Sequence, residues 1–384
     1  MEAGRVLRVG MVCPYSLSVP GGVQAQVLGL SRQLRRSGVE VRVLAPCDGP
    51  PPATFVTPLG NSLPTAANGS VAPLAPDPAC ALRTIRALLD EQFDVLHVHE
   101  PFAPGPTMTT LVVRPAPIVA TFHAAGTSEG YEWLGGPVRS MAKHIARRVV
   151  VSKDALALVG RVAPGDYTTL FNGVELDTFR STTASTRRSG PTIFFCARHE
   201  ERKGLGVLLD ALDRLGPDVR VWVAGTGPDT DRLRARTASD ARVEWLGRID
   251  DEEKIARLKA ADVFCAPSLR GESFGVVLIE AMAAGTAVVA SGLDGYRNVA
   301  TDDVDSLLVP PGDAPALAGA LERVLGDGAL RQRLVTAGYA RAQDFSMSTL
   351  AERYLALYRE VAADAGAGSG RWAARARARR MMRV

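Results

Sequence analysis

ADVFCAPSLRGESFGVVLIEAMAAGTAVVAS, residues 261–291, is the stretch whose reading decides the fold. ADVFCAPS is a short apolar, β-rich run, GESFG is a turn of small residues leading into an apolar helix, and TAVVAS is a second β-rich run. Strand, helix and strand in that order, with strands apolar throughout, point to a parallel sheet covered on both faces. One residue breaks the pattern. Glu280 stands inside the apolar helix, where a carboxylate is costly unless something pairs with it.

The same rhythm runs through the chain. VLRVGMVC reads as a buried strand, PYSLSVPGG as a loop, VQAQVLGLSRQLRRSG as an amphipathic helix closed by Gly38, and VEVRVLAP as a second strand. Further β-rich runs recur between helical segments: FDVLHVHE, PIVATFHA, ARRVVVSK, TIFFCARH, VRVWVAGTG and RVEWLG. At 384 residues the chain exceeds one average core, which predicts two domains. RSTTASTRRSGP, residues 180–191, is polar and turn-rich with no apolar period, so the interdomain linker is expected there. Each side then reads as a doubly wound α/β domain, which binds ligands beyond the C-terminal ends of its strands. FSMSTLAERYLALYREVAAD is a second amphipathic helix, followed by GAGSG and the arginine-rich RWAARARARRMMRV.

Composition narrows the functional classes. A hydrophobic share of 46% with 22% charged residues is that of an ordinary globular protein. A net charge of +4 gives no reason to expect a nucleic-acid partner. Cys13, Cys47, Cys80, Cys196 and Cys265 show no C-x-x-C pairing and read as thiols of a reducing compartment. With no signal-peptide pattern at the start and no uncharged stretch long enough to span a membrane, the chain is expected to be cytoplasmic, with contact to a membrane surface left open.

The chemistry gathers at helix starts. GESFG places small residues where the free N–H groups of a first helical turn make an anion site. Glu280 lies one turn further along the same face, suited to accept hydrogen bonds from ligand hydroxyls such as those of a ribose. In CARHEERKG, Arg198 and Lys203 sit just past a strand end where both reach a phosphate, with Arg202 to assist. PGGVQAQ puts Gly21 and Gly22 at another helix start, where backbone can approach a phosphate closely. Neither G-x-G-x-x-G nor Walker A is present, so hydride transfer and ATP hydrolysis by those motifs lose support. His97 and His99 share a strand face; without an evident third ligand, hydrogen bonding is favoured over metal binding. Asp303 and Asp305 form a lone D-x-D in TDDVDS, a turn, and are not assigned to metal.

Taken together, PGGV, HVHEP, a strand ending in FH, R-x-x-x-x-K-G, AGTGP and the paired glutamates of GESFGVVLIE resemble the retaining glycosyltransferases of family 4, which have the GT-B fold. The resemblance spans about residues 5–362. Within that family GMVCPYSLSVPGGVQAQVL, FDVLHVHEP and GESFGVVLIEAMAAGTAVVAS look most like actinobacterial phosphatidylinositol mannosyltransferases, which use GDP-mannose. It implies two Rossmann-like domains facing across a cleft: residues 1–182 binding the acceptor, 183–343 binding the nucleotide-sugar donor, a helix at 344–363 packing back on the first domain, and a flexible arginine-rich tail at 364–384.

The resemblance also implies roles. Arg198, Arg202 and Lys203 would hold the diphosphate with Gly22, and Glu272, Ser273, Phe274, Gly275 and Val276 would contact sugar and phosphate. Glu280 would bind the ribose, and Ile249, Asp250, Asp251 and Lys254 would surround the guanine nucleotide. His123 would reach the transferred sugar, making His123, Arg198, Lys203 and Glu272 the catalytic set. Tyr15, Gln24, Asn68 and Ser70 would face the acceptor. The reaction would replace the nucleoside diphosphate at the anomeric carbon with retention, and no cofactor or metal is required beyond the nucleotide sugar.

The sequence departs from that pattern at the acceptor. AANGSVAP keeps Asn68 and Ser70 but has Ala67 and Pro73, and the phosphate-binding arginine expected in this loop is missing. CALRTIRALLDEQ, where the resemblance implies a strongly basic membrane helix, has only Arg83 and Arg86 against Asp90 and Glu91. The partners implied are a nucleotide sugar and either a phosphoinositide at the inner membrane face or another hydroxyl acceptor. Two further readings stay open: a soluble sugar, cyclitol or natural-product acceptor with a UDP-sugar donor, and a nucleotide-sugar-binding protein without turnover. The tail reads equally as a solvated end or a membrane contact.

Overall fold

The computed structural model describes residues 6–67, 70–124, 135–185 and 190–367. It divides into two compact units, one formed by residues up to Gly173 together with those from Met347, the other by Val174–Ser346.

In the first unit the strands are β1 (Arg8–Val12), β2 (Glu40–Ala45), β3 (Val56–Pro58), β4 (Leu63–Ala67), β5 (Ser70–Leu74), β6 (Val95–His99), β7 (Ile118–Phe122), β8 (Ile145–Val150) and β9 (Thr168–Thr169). Seven of them make one sheet in the order β3-β2-β1-β6-β7-β8-β9, parallel throughout, while β4 and β5 pair as an antiparallel hairpin. Strand order reverses between β1 and β6, which makes that pair the switch point where such sheets open a binding crevice.

The two faces of this sheet carry separate cores. Val12, Leu96, Val98, Ile118, Ala120 and Phe122 point to one. Val9, Met11, Val95 and Val119 point to the other, beneath helix α1 (Gly22–Arg36) and the last described helix, Met347–Ala367, which contributes Leu350, Ala351, Tyr354, Tyr358 and Val361. The alternation of strand side chains puts His97, His99, Thr121 and His123 on this second face. Arg35 and Arg36 close α1 at its negative end, and Gly38 follows at φ 81°, a conformation that favours glycine.

The second unit holds β10 (Thr192–Cys196), β11 (Arg220–Ala224), β12 (Val243–Gly247), β13 (Val263–Ala266), β14 (Ala287–Ser291) and β15 (Leu307–Val309) in the order β12-β11-β10-β13-β14-β15. All pairings are parallel, and the reversal falls between β10 and β13. Helix α2 (Leu205–Leu212) follows β10, α3 (Asp251–Ala260) follows β12, and α4 (Val276–Ala283) follows β13. The quoted stretch is thus β13, α4 and β14, as its periodicity predicts.

The polar stretch 180–191 does not mark the division between units. Leu176–Ser181 is a short helix, Val174 N donates to Phe345 O at 2.8 Å, and Ser185 N donates to Ala256 O at 2.9 Å, all inside the second unit.

Candidate active site

The loops after β10 and β13 flank the switch point of the second sheet, and they are pressed together. Gly204, at φ 70°, lies so close to the Pro267 carbonyl that a Cβ would run into it. Only glycine permits both the left-handed backbone and the approach. The consequence is that the 3-10 turn Glu201–Lys203 meets the loop that carries Glu272. Lys203 Nζ donates to Glu272 Oε1 at 2.5 Å, Ser268 Oγ donates to the same oxygen at 2.9 Å, and Ser268 is held in turn by Tyr296 OH at 2.9 Å. Arg202 Nε donates to Glu200 Oε2 at 2.8 Å, and Arg198 lies 3.1 Å from Glu200 Oε1. Three cations and two carboxylates therefore form one network past the ends of β10 and β13.

A second network adjoins it. Lys254 Nζ, from α3, lies 2.9 Å from Glu280 Oε1 on α4 and 3.0 Å from Asp251 Oδ1. This is the partner that the lone carboxylate in the apolar helix needs. Burial alone would lower the Lys254 ammonium, but Glu280 and Asp251 outweigh it and hold it above its ordinary value. Cys196, at the end of β10, is raised to about 11 by burial and feels both Lys254 and Glu280, which ties this network to the same strand end.

The first unit offers a site of opposite character. His99 Nδ1 and His123 Nε2 are 3.0 Å apart, and their rings stack at 5.3 Å. His97 is held at both nitrogens, by Tyr358 OH at 2.6 Å and Thr121 Oγ1 at 2.7 Å, and Tyr354 OH lies 2.9 Å from the same threonine oxygen. Burial lowers the His97 imidazole to about 3 and the His123 imidazole to about 4, so both are neutral at pH 7. Glu100, buried and at φ 47°, accepts from the backbone N–H of both His123 and Ala124 through Oε1.

The chain matches known proteins. The family described as "Glycosyltransferase Family 4" matches residues 20–178, and "Glycosyl transferases group 1" matches residues 183–341. Phosphatidyl-myo-inositol mannosyltransferase of Mycobacterium leprae is 43% identical over 367 residues, covering 93% of this chain and 97% of that protein. The chain belongs to the phosphatidyl-myo-inositol mannosyltransferase family of glycosyltransferases. The protein of that name from Propionibacterium freudenreichii is 34% identical over 92% of this chain and 94% of its own length. Sucrose-phosphate synthase from Thermosynechococcus elongatus, at 21% identity and TM-score 0.74 over 93% of this chain and 100% of that one, shares the GT-B fold.

As a member of this family the chain has its expected residues distributed as follows. Arg198, Arg202, Lys203 and Glu272 form the first network, and Asp251, Lys254 and Glu280 the second. Asp250 caps α3 by accepting from Glu253 N at 2.8 Å, and half-buried Ile249 precedes it. Gly275 is the N-cap of α4 at φ 91°, with half-buried Ser273 and Val276 beside it. The Phe274 side chain is core, packed edge-on against Phe345 at 5.6 Å, so only its backbone is available to a ligand. Gly22 opens α1, and a Cβ there would meet nothing within 4 Å, so packing does not explain the glycine.

Among the residues expected at the acceptor, Tyr15 bridges to Leu74 and its phenol is raised by burial, with Glu100 nearby. Gln24 is buried, with Nε2 donating to Ser16 O at 3.4 Å. Ser70 begins β5, and Asn68 lies outside the described residues, as does the tail from 368. Of the arginines following β5, Arg83 donates to Leu59 O at 3.1 Å and Arg86 pairs with Asp90 at 3.4 Å. Asp303 pairs with Arg333 at 2.9 Å, and Asp305 accepts from Thr301 N at 2.7 Å, so both serve their turn.

Glu200, Glu100, Ser268 and Tyr296 were missed in the sequence. Glu200 and Glu100 stand in quoted motifs, CARHEERKG and HVHEP, but a carboxylate beside cations or histidines has no periodicity to reveal it. Ser268 and Tyr296 meet Glu272 only through the fold.

Proposed function

We propose that this chain transfers mannose from GDP-mannose to phosphatidyl-myo-inositol, with retention at the anomeric carbon, on the cytoplasmic membrane face. The observation that carries the reading is the excess of cations at the switch point of the second sheet, in a chain 43% identical to a mannosyltransferase over 97% of that protein's length. In the transfer the bond from the anomeric carbon to the diphosphate oxygen breaks and its electron pair goes to the diphosphate. A new bond forms to an inositol hydroxyl oxygen, whose proton passes to the departing diphosphate. Arg198, Arg202 and Lys203 stabilise the growing phosphate charge, and because their carboxylate partners already fix them, little reorganisation accompanies the step. Glu280 receives the ribose hydroxyls, Lys254 holds that carboxylate in place through their ion pair, and His123 serves the sugar.

One observation favours a second reading with the same donor site and a soluble cyclitol acceptor. The hairpin of β4 and β5 carries Ala67 and Pro73 without the arginine expected for a lipid phosphate, and a D-inositol 3-phosphate glycosyltransferase of Xylanimonas cellulosilytica is 30% identical over 89% of this chain. Calorimetric titration with GDP, UDP, GDP-mannose and UDP-glucose, followed by transfer assays on phosphatidylinositol vesicles and on free inositol, tests both. Preference for GDP-mannose with label entering lipid supports the first reading, and label entering only free inositol supports the second. Preference for a uridine donor overturns the donor assignment.

A further inference from the structure

His99 is not among the residues assigned to the reaction, yet its ring faces the ring of His123. It is 2% exposed, its Nδ1 faces His123 Nε2 at 3.0 Å, and its own Nε2 is buried with no hydrogen-bond partner among the described residues. Two neutral imidazoles share one hydrogen bond, so one must donate. If His123 donated from Nε2, His99 would accept at Nδ1 and carry its hydrogen on Nε2, leaving a buried N–H without an acceptor. If His99 donates from Nδ1, only a lone pair is left bare at Nε2. Orphaned buried N–H groups are the rarer and costlier of the two. The hydrogen count therefore assigns the donor role to His99.

The rest of the chain supports that assignment. The His97 ring lies 4.1 Å from that of His99, and His97 is fixed at both nitrogens by Tyr358 and Thr121, so His99 is braced against a ring that has no freedom to turn.

We propose that His99 is a positioning residue that fixes His123 as its Nδ1–H tautomer, so that His123 serves the sugar as a neutral hydrogen-bond donor and not as a general base. The Nε2 lone pair that a base would use is already bonded to His99. The proposal rests on the reading that His123 acts on the transferred sugar.

Ring nitrogen NMR of the full chain labelled with 15N-histidine decides the tautomer without any variant beyond those used for assignment. The chain has five histidines, so ten ring signals, and His123→Gln identifies its pair by their loss. An unprotonated Nε2 with a protonated Nδ1 is expected, and a protonated Nε2 overturns the assignment. The function is tested by His99→Leu and His99→Gln with GDP-mannose. The leucine variant should lower kcat by ~10- to 100-fold with little change in donor KM, by analogy with other histidines released into the wrong tautomer. Glutamine, whose amide can donate to Nε2, should restore part of the loss. Wild-type kcat in a folded His99→Leu, alongside a large loss in His123→Ala, overturns the positioning role. Wild-type transfer in His123→Ala overturns the reading of His123 itself, and the nitrogen shifts still decide the tautomer.

Discussion

Both units end their sheets in a polar cluster near a strand-order reversal, but one cluster is ionic and the other neutral. Past β10 and β13 the side chains are arginine, lysine and glutamate, partly open to solvent and held by charge. At the ends of β6 and β7 the ring cluster is of histidine, threonine and tyrosine, sealed beneath the last helix and held by hydrogen bonds between uncharged side chains, with the Glu100 carboxylate taken up by backbone N–H groups beside it. The difference follows from what lies above each sheet face. Where side chains of Tyr354 and Tyr358 exclude water, a charge is too costly and imidazoles stay neutral. Where the strand ends meet solvent-reaching loops, ions can be kept as pairs.

The largest effect should come from breaking the ionic side. Lys203→Ala should lower kcat/KM by about 10³-fold and weaken GDP binding with it, measured by transfer assay and calorimetry. Wild-type values for both would remove the diphosphate assignment. The neutral side should show itself in acid. A histidine lowered from its unfolded 6.5 to about 4, as His123 is, binds its proton more readily when the chain is unfolded. Stability is complete above about pH 6.5 and is lost as pH falls towards 4, by roughly 3 kcal/mol for such a group. Thermal melts between pH 7 and 4 should show Tm falling across that window, and His97→Gln, which removes the other imidazole brought to about 3, should flatten the decline.

His123→Ala should separate the two clusters functionally, lowering transfer by about 10²-fold while calorimetric GDP affinity stays unchanged. Parallel losses in both would mean that the clusters do not divide sugar handling from diphosphate binding. Tyr358→Phe, which strips a buried partner from His97 Nδ1, should cost about 1–2 kcal/mol in urea unfolding. Arg86→Ala, at an exposed ion pair outside either cluster, should change stability by less than about 0.5 kcal/mol.

The ionic site was the more legible of the two in the sequence. Arg198, Lys203, Glu272 and Glu280 stand in short motifs beside strand and helix ends, so local pattern places them at the mouth of the sheet. His97 and His99 were readable as sharing a face, from strand alternation alone. Their partners were not. Tyr358 is 261 residues from His97 and Tyr354 is 233 from Thr121, and the tyrosines lie in a helix whose amphipathic period says only that one face is buried.

By itself the sequence determined the parallel strands, the helices between them and the small residues at the helix starts, because each is written in a period or spacing of neighbouring residues. Tertiary structure alone decided which charges pair and which histidine nitrogen faces which. Gly204 brings two loops into contact so that Lys203 meets Glu272, and the last helix closes over His97. Such pairings depend on distances across the sheet and on the exclusion of water, and neither is encoded in any local window of the chain.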